Sequence, residues 1–183
     1  SVKWASCNIG AKSEADYGHL FAWGEIYRKT DYCWNTYKWG KRDSNDMTNY
    51  GMTKYNKTDG RTTLLAEDDI ATAFFGSEWR TPTIAEIEEL LDETKCEWVW
   101  VTTKDALGNE VKGYTVISKA DNRKSIFLPA LLDNAGYYGD IWSSSLVDQD
   151  FSYLAGSLFF RPDGHSLVNA YRYEGIPVRA VTE

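Results

Sequence analysis

Gly76-Ser77-Glu78-Trp79-Arg80-Thr81-Pro82-Thr83, running into Ile84-Ala85-Glu86-Ile87-Glu88-Glu89-Leu90-Leu91, is the stretch that decides the fold. The Thr83 hydroxyl stands where a helix N-cap belongs. Glu86, three residues on, can reach back to the cap's own N–H, which makes a capping box. Ile84, Ile87, Leu90 and Leu91 recur at helical spacing and share one face. Glu86, Glu88, Glu89 and Asp92 cover the other. The spacing predicts a helix over residues 84 to about 93, its apolar stripe laid on a sheet. Pro82 stiffens the approach, Trp79 is a large apolar anchor beside it, and Arg80 is its charged neighbour.

Upstream, a first helix is predicted over residues 68–75. Asp68 or Asp69 is its cap, Ile70, Ala71, Phe74 and Phe75 share a face, and Gly76 stands where a left-handed C-terminal cap belongs. Downstream, the pattern turns to strands. Residues 97–102 and 113–118 flank the turn Asp105-Ala106-Leu107-Gly108-Asn109 as a hairpin. Residues 125–129 form another strand, whose proline points to an edge or a strand end. Gly136-Tyr137-Tyr138-Gly139 reads as a loop, followed by a strand at 141–145. Residues 153–160 and 165–171 pair across Arg161-Pro162-Asp163-Gly164, a strong turn signal.

Residues 2–5 read as a first short strand, 20–24 as an apolar run ending on glycine, and 176–181 as the closing strand. Between them, residues 25–61 are polar but interrupted by Trp34, Tyr37, Trp39, Tyr50 and Tyr55. That is too aromatic for disorder, so a long ordered loop pinned by rings is expected. Short strands, two helices, then many strands argue for one α+β domain over residues 1–183 with antiparallel sheets.

Composition narrows the function. The net charge is −7 and no basic patch stands out, which argues against a nucleic-acid partner or an anionic membrane surface. No apolar run is long enough for a transmembrane helix, so membrane insertion is not expected. Cys7, Cys33 and Cys96 form no Cys-x-x-Cys pair and allow at most one internal disulfide. With only His19 and His165 to help, a structural zinc site is not expected. The chain begins at Ser1 and reads as a mature or trimmed piece, with any export signal outside it.

Several short pieces, in order, look like one family. They are Val2-Lys3-Trp4-Ala5-Ser6-Cys7-Asn8-Ile9-Gly10-Ala11, Tyr17-Gly18, Phe21-Ala22-Trp23-Gly24-Glu25, the stretch 76–83, Ser125-Ile126-Phe127-Leu128-Pro129-Ala130, Trp142-Ser143-Ser144-Ser145 and Val178-Arg179-Ala180-Val181. Together they span nearly the whole chain. This chain resembles the Fibrobacter succinogenes major paralogous domain, common in surface proteins of gut Bacteroidetes. The resemblance implies a C-type-lectin-like fold: two helices on antiparallel sheets, long ordered loops and adjacent termini. It also implies an exported setting, at the cell surface or as an outer-membrane lipoprotein.

The stretch 142–181 is also similar to the variable region of proteins diversified by retroelements. There the Trp-Ser-Ser-Ser and Val-Arg-Ala-Val ends are scaffold, and the side chains between them meet the ligand. Carried over, that face draws on Leu146, Asp148, Asp150, Phe151, Tyr153, Arg161, His165, Asn169, Tyr171 and Tyr173. Two features depart from related proteins. The Glu-Pro-Asn and Trp-Asn-Asp tripeptides of calcium-dependent lectins are absent. The formylglycine-generating enzymes share the fold and a similar Trp-Arg-x-Pro-Thr run, but this chain has no late cysteine pair, Cys96 being its last.

The residues themselves point away from catalysis. Ser143-Ser144-Ser145 lacks the Gly-x-Ser-x-Gly elbow and reads as structural hydroxyls. Glu86, Glu88, Glu89, Asp92 and Glu93 read as a solvated helix face rather than a glycosidase pair. Asp43-Ser44-Asn45-Asp46 lacks the glycine and glutamate of a calcium loop, and a calcium held by Asp148, Asp150 and Asp163 is the weaker reading. Arg80 and Arg179, inside apolar motifs, are expected to lock the sheet to its loops. Tyr153, Tyr171 and Tyr173 are expected to point outward as rigid contact area. The expectation is therefore a non-enzymatic, adhesion-type binding module for a protein or glycan, with neither catalytic residues nor cofactor. The alternatives are an enzyme of the formylglycine-generating or carbohydrate-active type, and a structural unit of a larger surface or pilus-like protein.

Overall fold

A computed structural model describes residues 2–40, 45 and 51–183. The chain folds as α+β, with two α-helices and antiparallel sheets among these residues. Strand β1 (Lys3–Trp4) pairs with β9 (Val181–Thr182), Lys3 opposite Thr182, so the two ends of the domain meet as expected. The stretch 76–83 runs on the other side of β9: Arg80 and Val181 exchange backbone hydrogen bonds of 3.0 and 2.8 Å. The N-terminal strand, the C-terminal strand and the approach to the second helix thus form one ribbon.

That helix, α2 (Ile84–Leu91), starts on the expected capping box. Glu86 N–H donates to the Thr83 hydroxyl at 3.3 Å, and Thr83 N–H donates to the Glu86 carboxylate at 2.8 Å. Arg80 adds a two-pronged pair to the same carboxylate, at 2.7 and 2.6 Å. This contact first of all, and the Thr83 bonds, hold Glu86 below the usual carboxylate range against the opposing effect of burial. Ile87 and Leu90 are buried, packing with Leu158 and Phe160. The helix stops two residues short of the expected end because Asp92 turns to extended backbone and its carbonyl accepts from Lys95 and Cys96 N–H.

The first helix needs more correction. Asp68 lies in a 3-10 turn (Ala66–Asp68), and α1 (Ile70–Phe75) is capped by Asp69, whose side chain accepts from Ala71 N–H. Only the first turn of α1 reaches the core, so Ile70 and Ala71 are buried while Phe74 and Phe75 stay 54% and 41% exposed. Those two rings instead pack on each other, and Phe75 packs on Trp79. Gly76 does have positive φ, but its ψ of 173° is extended, not left-handed helical.

Two larger sheets follow. Strands β2 (Cys96–Lys104), β3 (Glu110–Ser118) and β4 (Ser125–Pro129) form one, with β4 at an edge, as the proline required. Strands β5 (Leu131–Asp133), β6 (Gly136–Trp142), β7 (Leu154–Arg161) and β8 (Gly164–Tyr171) form the other in that order. Gly136-Tyr137-Tyr138-Gly139 therefore belongs to a strand, not a loop. Gly139 pairs with Phe160, whose ring fills the space a Cβ would take, so the glycine marks close packing rather than a turn.

Trp23 and Trp142 knit the core. Trp23 Nε1 donates to the Ser143 carbonyl and Trp142 Nε1 to the Phe21 carbonyl, each at 2.8 Å. Both rings are 1% exposed. Arg179, fully buried, donates to Asn8 Oδ1, the Ala5 carbonyl and the Phe127 carbonyl, tying the N-terminus to β4 as a lock between sheet and loops. The long loop is ordered by rings over its described residues. Tyr37 donates to the Trp23 carbonyl, Trp39 to the Gly24 carbonyl, and fully buried Tyr55 to Asp68. Tyr50 and most of Asp43-Ser44-Asn45-Asp46 lie outside the described residues.

Candidate functional site

Where β7 begins and β8 ends, five aromatic rings stand in a row. Phe151 meets Tyr153 edgewise at 6.2 Å. Tyr153 lies nearly parallel to Tyr171 at 6.1 Å, and Tyr171 to Tyr173 at 5.5 Å. Trp34, from the long loop, stands edgewise against Tyr173 at 4.7 Å and Tyr171 at 6.0 Å. Phe151 is 51% and Tyr171 37% exposed, and Tyr153, Tyr173 and Trp34 are half-buried. The β7–β8 register, with Leu154 opposite Tyr171, brings residues far apart in sequence to one sheet end.

The row rests on Arg172, a residue the sequence reading did not single out. It stands in the turn just after β8, between Tyr171 and Tyr173, where its N–H donates to the Tyr153 carbonyl and its carbonyl accepts from Trp23 N–H. It is fully buried. Its guanidinium donates to Tyr37 Oη at 2.8 Å, and to the carbonyls of Ser152, Tyr55 and Lys54 at 2.8, 3.1 and 3.0 Å. One buried cation thus fastens the long loop under both strands of the row. Tyr37 is raised above the usual tyrosine range, by burial first and against the pull of Arg172. Glu174, whose carboxylate accepts from Tyr171 N–H, is raised by burial.

The ten expected face residues divide. Phe151, Tyr153, Tyr171 and Tyr173 make the row. Asp148 and Asp150 flank it, both exposed, with Asp148 capping the 3-10 turn Gln149–Phe151 and Asp150 paired to Lys57 at 2.6 Å. Asn169 is exposed on the same strand face as Tyr171. Leu146 is not on the face. Its N–H bonds to the Thr62 carbonyl, and the bridge between Thr63 and Ser145 turns the side chain inward to 5% exposure.

Arg161 and His165 are not with the row either, since the hairpin puts them at its far tip, about 20 Å away along the strands. There Arg161 donates to the Ala135 carbonyl and lies over the Phe159 ring, while His165 stacks on Trp98 at 4.1 Å. Burial lowers the His165 imidazole below its usual value. Phe159, Arg161, Asp163, Gly164, His165 and Ser166 line an open depression of about 350 Å³. Asp163 is therefore remote from Asp148 and Asp150, and the calcium idea does not assemble. Among the described residues no group of three or more His, Cys, Asp or Glu side chains is placed to hold a metal ion. No described helix is long and apolar enough to cross a membrane.

In the serine run, Ser143 Oγ donates to the Ser145 carbonyl, and the Ser144 N–H donates to the Pro82 carbonyl. All three cysteines are free thiols. No protein-family model, curated protein or solved structure matches this chain.

Proposed function

We propose that this chain is a C-type-lectin-like, non-enzymatic binding module of a bacterial cell surface, of the kind found in the Fibrobacter succinogenes major paralogous domain family. Its ligand face is the aromatic row and the acidic and amide side chains beside it. The observation that carries this reading is the row itself: five partly exposed rings, gathered from three segments and held by one buried arginine. Rings preset in this way give contact area at little entropic cost on binding. The joined termini, the capped α2 and the antiparallel sheets support the lectin-like fold.

The test is the triple substitution Tyr153→Ala, Tyr171→Ala and Tyr173→Ala, probed beside the wild type on glycan and protein arrays. Far-ultraviolet circular dichroism checks that the fold survives. The expected outcome is loss of whatever the wild type binds. Retained binding by a folded variant puts the ligand face elsewhere.

A further inference from the structure

We infer that the ligand of the aromatic row is a polypeptide bearing lysine or arginine; this rests on the row being the ligand face. Tyr171, at the centre of the row, is 37% exposed. Tyr153 and Tyr173 lie nearly parallel to it at 6.1 and 5.5 Å, and Trp34 meets both Tyr171 and Tyr173 edgewise at 6.0 and 4.7 Å. Parallel rings that far apart are displaced sideways by more than a ring's width, so the pile keeps ring face open to a partner. Such faces are electronegative by the ring quadrupole and attract ammonium and guanidinium groups.

The surroundings give the partner its charge. Asp148 and Asp150, both exposed, precede Phe151, and exposed Asp31 stands three residues before Trp34. Lys57 offsets one of these, Asp150. Of the lysines nearby, Lys29 is held by Glu25 and Lys54 by Asp68. Among the described residues the border is thus acidic, on a chain of net charge −7, and it draws basic side chains.

A random-peptide display library selected on the wild-type domain, with the folded triple-alanine variant as counter-selection, tests the inference beside a defined glycan array. The expected result is enrichment of peptides rich in lysine or arginine. They should bind the wild type at least about tenfold more tightly than the triple variant, a loss typical of an interface anchor. They should weaken as salt rises, and weaken several-fold on Tyr171→Phe, which keeps the pile but removes the central hydroxyl. Glycan binding abolished by the triple substitution, without enriched peptides, overturns the polypeptide inference and leaves the face in place. Probes that bind both proteins equally sink the face itself. Enriched peptides without basic residues overturn the charge argument.

Discussion

Arg172 and Arg179 are both fully buried, and each is met by carbonyl and neutral side-chain oxygens rather than by a carboxylate. Their duties differ. Arg179 joins residues 5 and 8 to β4 and so closes the scaffold around the termini. Arg172 joins residues 37, 54 and 55 of the long loop to residue 152 and so sets the display side. Regular strands satisfy their own carbonyls along a ladder. A long loop has no ladder, and a buried carbonyl without a donor is costly. The guanidinium supplies several donors at one point, which is how an irregular segment is held as firmly as a strand.

Removing either cation breaks this comparison most severely. Arg179→Met and Arg172→Met each strand several buried acceptors, and each should cost on the order of 3–5 kcal/mol in urea unfolding. The variants separate in hydrogen exchange. Arg179→Met should lower protection throughout while keeping the row. Arg172→Met should open residues 51–56 and 152–153 selectively and leave the α2 amides protected. Uniform loss of protection in both would show that display and scaffold are one cooperative unit.

The two sides were also unequally legible in sequence. The capping box, the 105–109 hairpin, the 161–164 turn and the meeting of the termini were readable because each has a local signal or a motif at a fixed place. The Gly136–Trp142 strand was misread because its two glycines resemble turn residues, and only the contact with Phe160 shows that Gly139 is there for close packing. Phe74 and Phe75 fit a helical stripe, but periodicity does not say how far a short helix reaches into the core. In the site, alternation in β8 sets Tyr171 outward with Asn169, but Arg172 and Tyr173 lie in the turn after that strand, where the period of two no longer says which side chain goes inward. Trp34 had no such signal, since its place depends on how a long loop folds. Leu146 was misplaced because a scaffold motif's end was taken as the start of the face.

Asp140 tests whether the two sides share their electrostatics. Burial, chiefly, raises its carboxyl to about 7, with Glu174 of the display side adding to the rise while Ser157 and the Ile141 N–H oppose it. The same carboxyl and Tyr138 add to the rise of Tyr17, which burial chiefly drives. The unfolded chain releases this proton near 3.8 and the folded chain only near 7. Between those values the folded state holds the extra proton, so stability is full below the lower value and falls as pH rises through the upper one. The loss should be on the order of 2–4 kcal/mol. Asp140→Asn should flatten the curve, and a curve equally steep in that variant would assign the loss to other groups.

A smaller effect belongs to the scaffold alone. Thr83→Ala removes the hydroxyl half of the capping box and should cost about 1 kcal/mol. Glu86 keeps its pair with Arg80 and its bond from the Thr83 N–H, so α2 should shorten at its first turn without moving the row. Equal peptide affinity in the variant and the wild type checks that separation.

The smallest change in stability is expected from Lys57→Ala. Two ion pairs invite comparison, one on each side. Arg80 grips Glu86 with two hydrogen bonds, against a carboxylate only 16% exposed and already tied to a helix cap. Lys57 touches Asp150 through one contact between side chains that are both more than half exposed. Water screens such a pair, and holding a long lysine in one geometry costs entropy. Lys57→Ala should leave the urea midpoint unchanged. It also uncovers the Asp150 carboxylate beside Phe151, which makes the border of the row more acidic. Basic peptides selected on the wild type should therefore bind this variant more tightly, with a steeper dependence on salt, although the fold is no more or less stable. A lower midpoint with unchanged peptide affinity would move Lys57 from the display side to the scaffold.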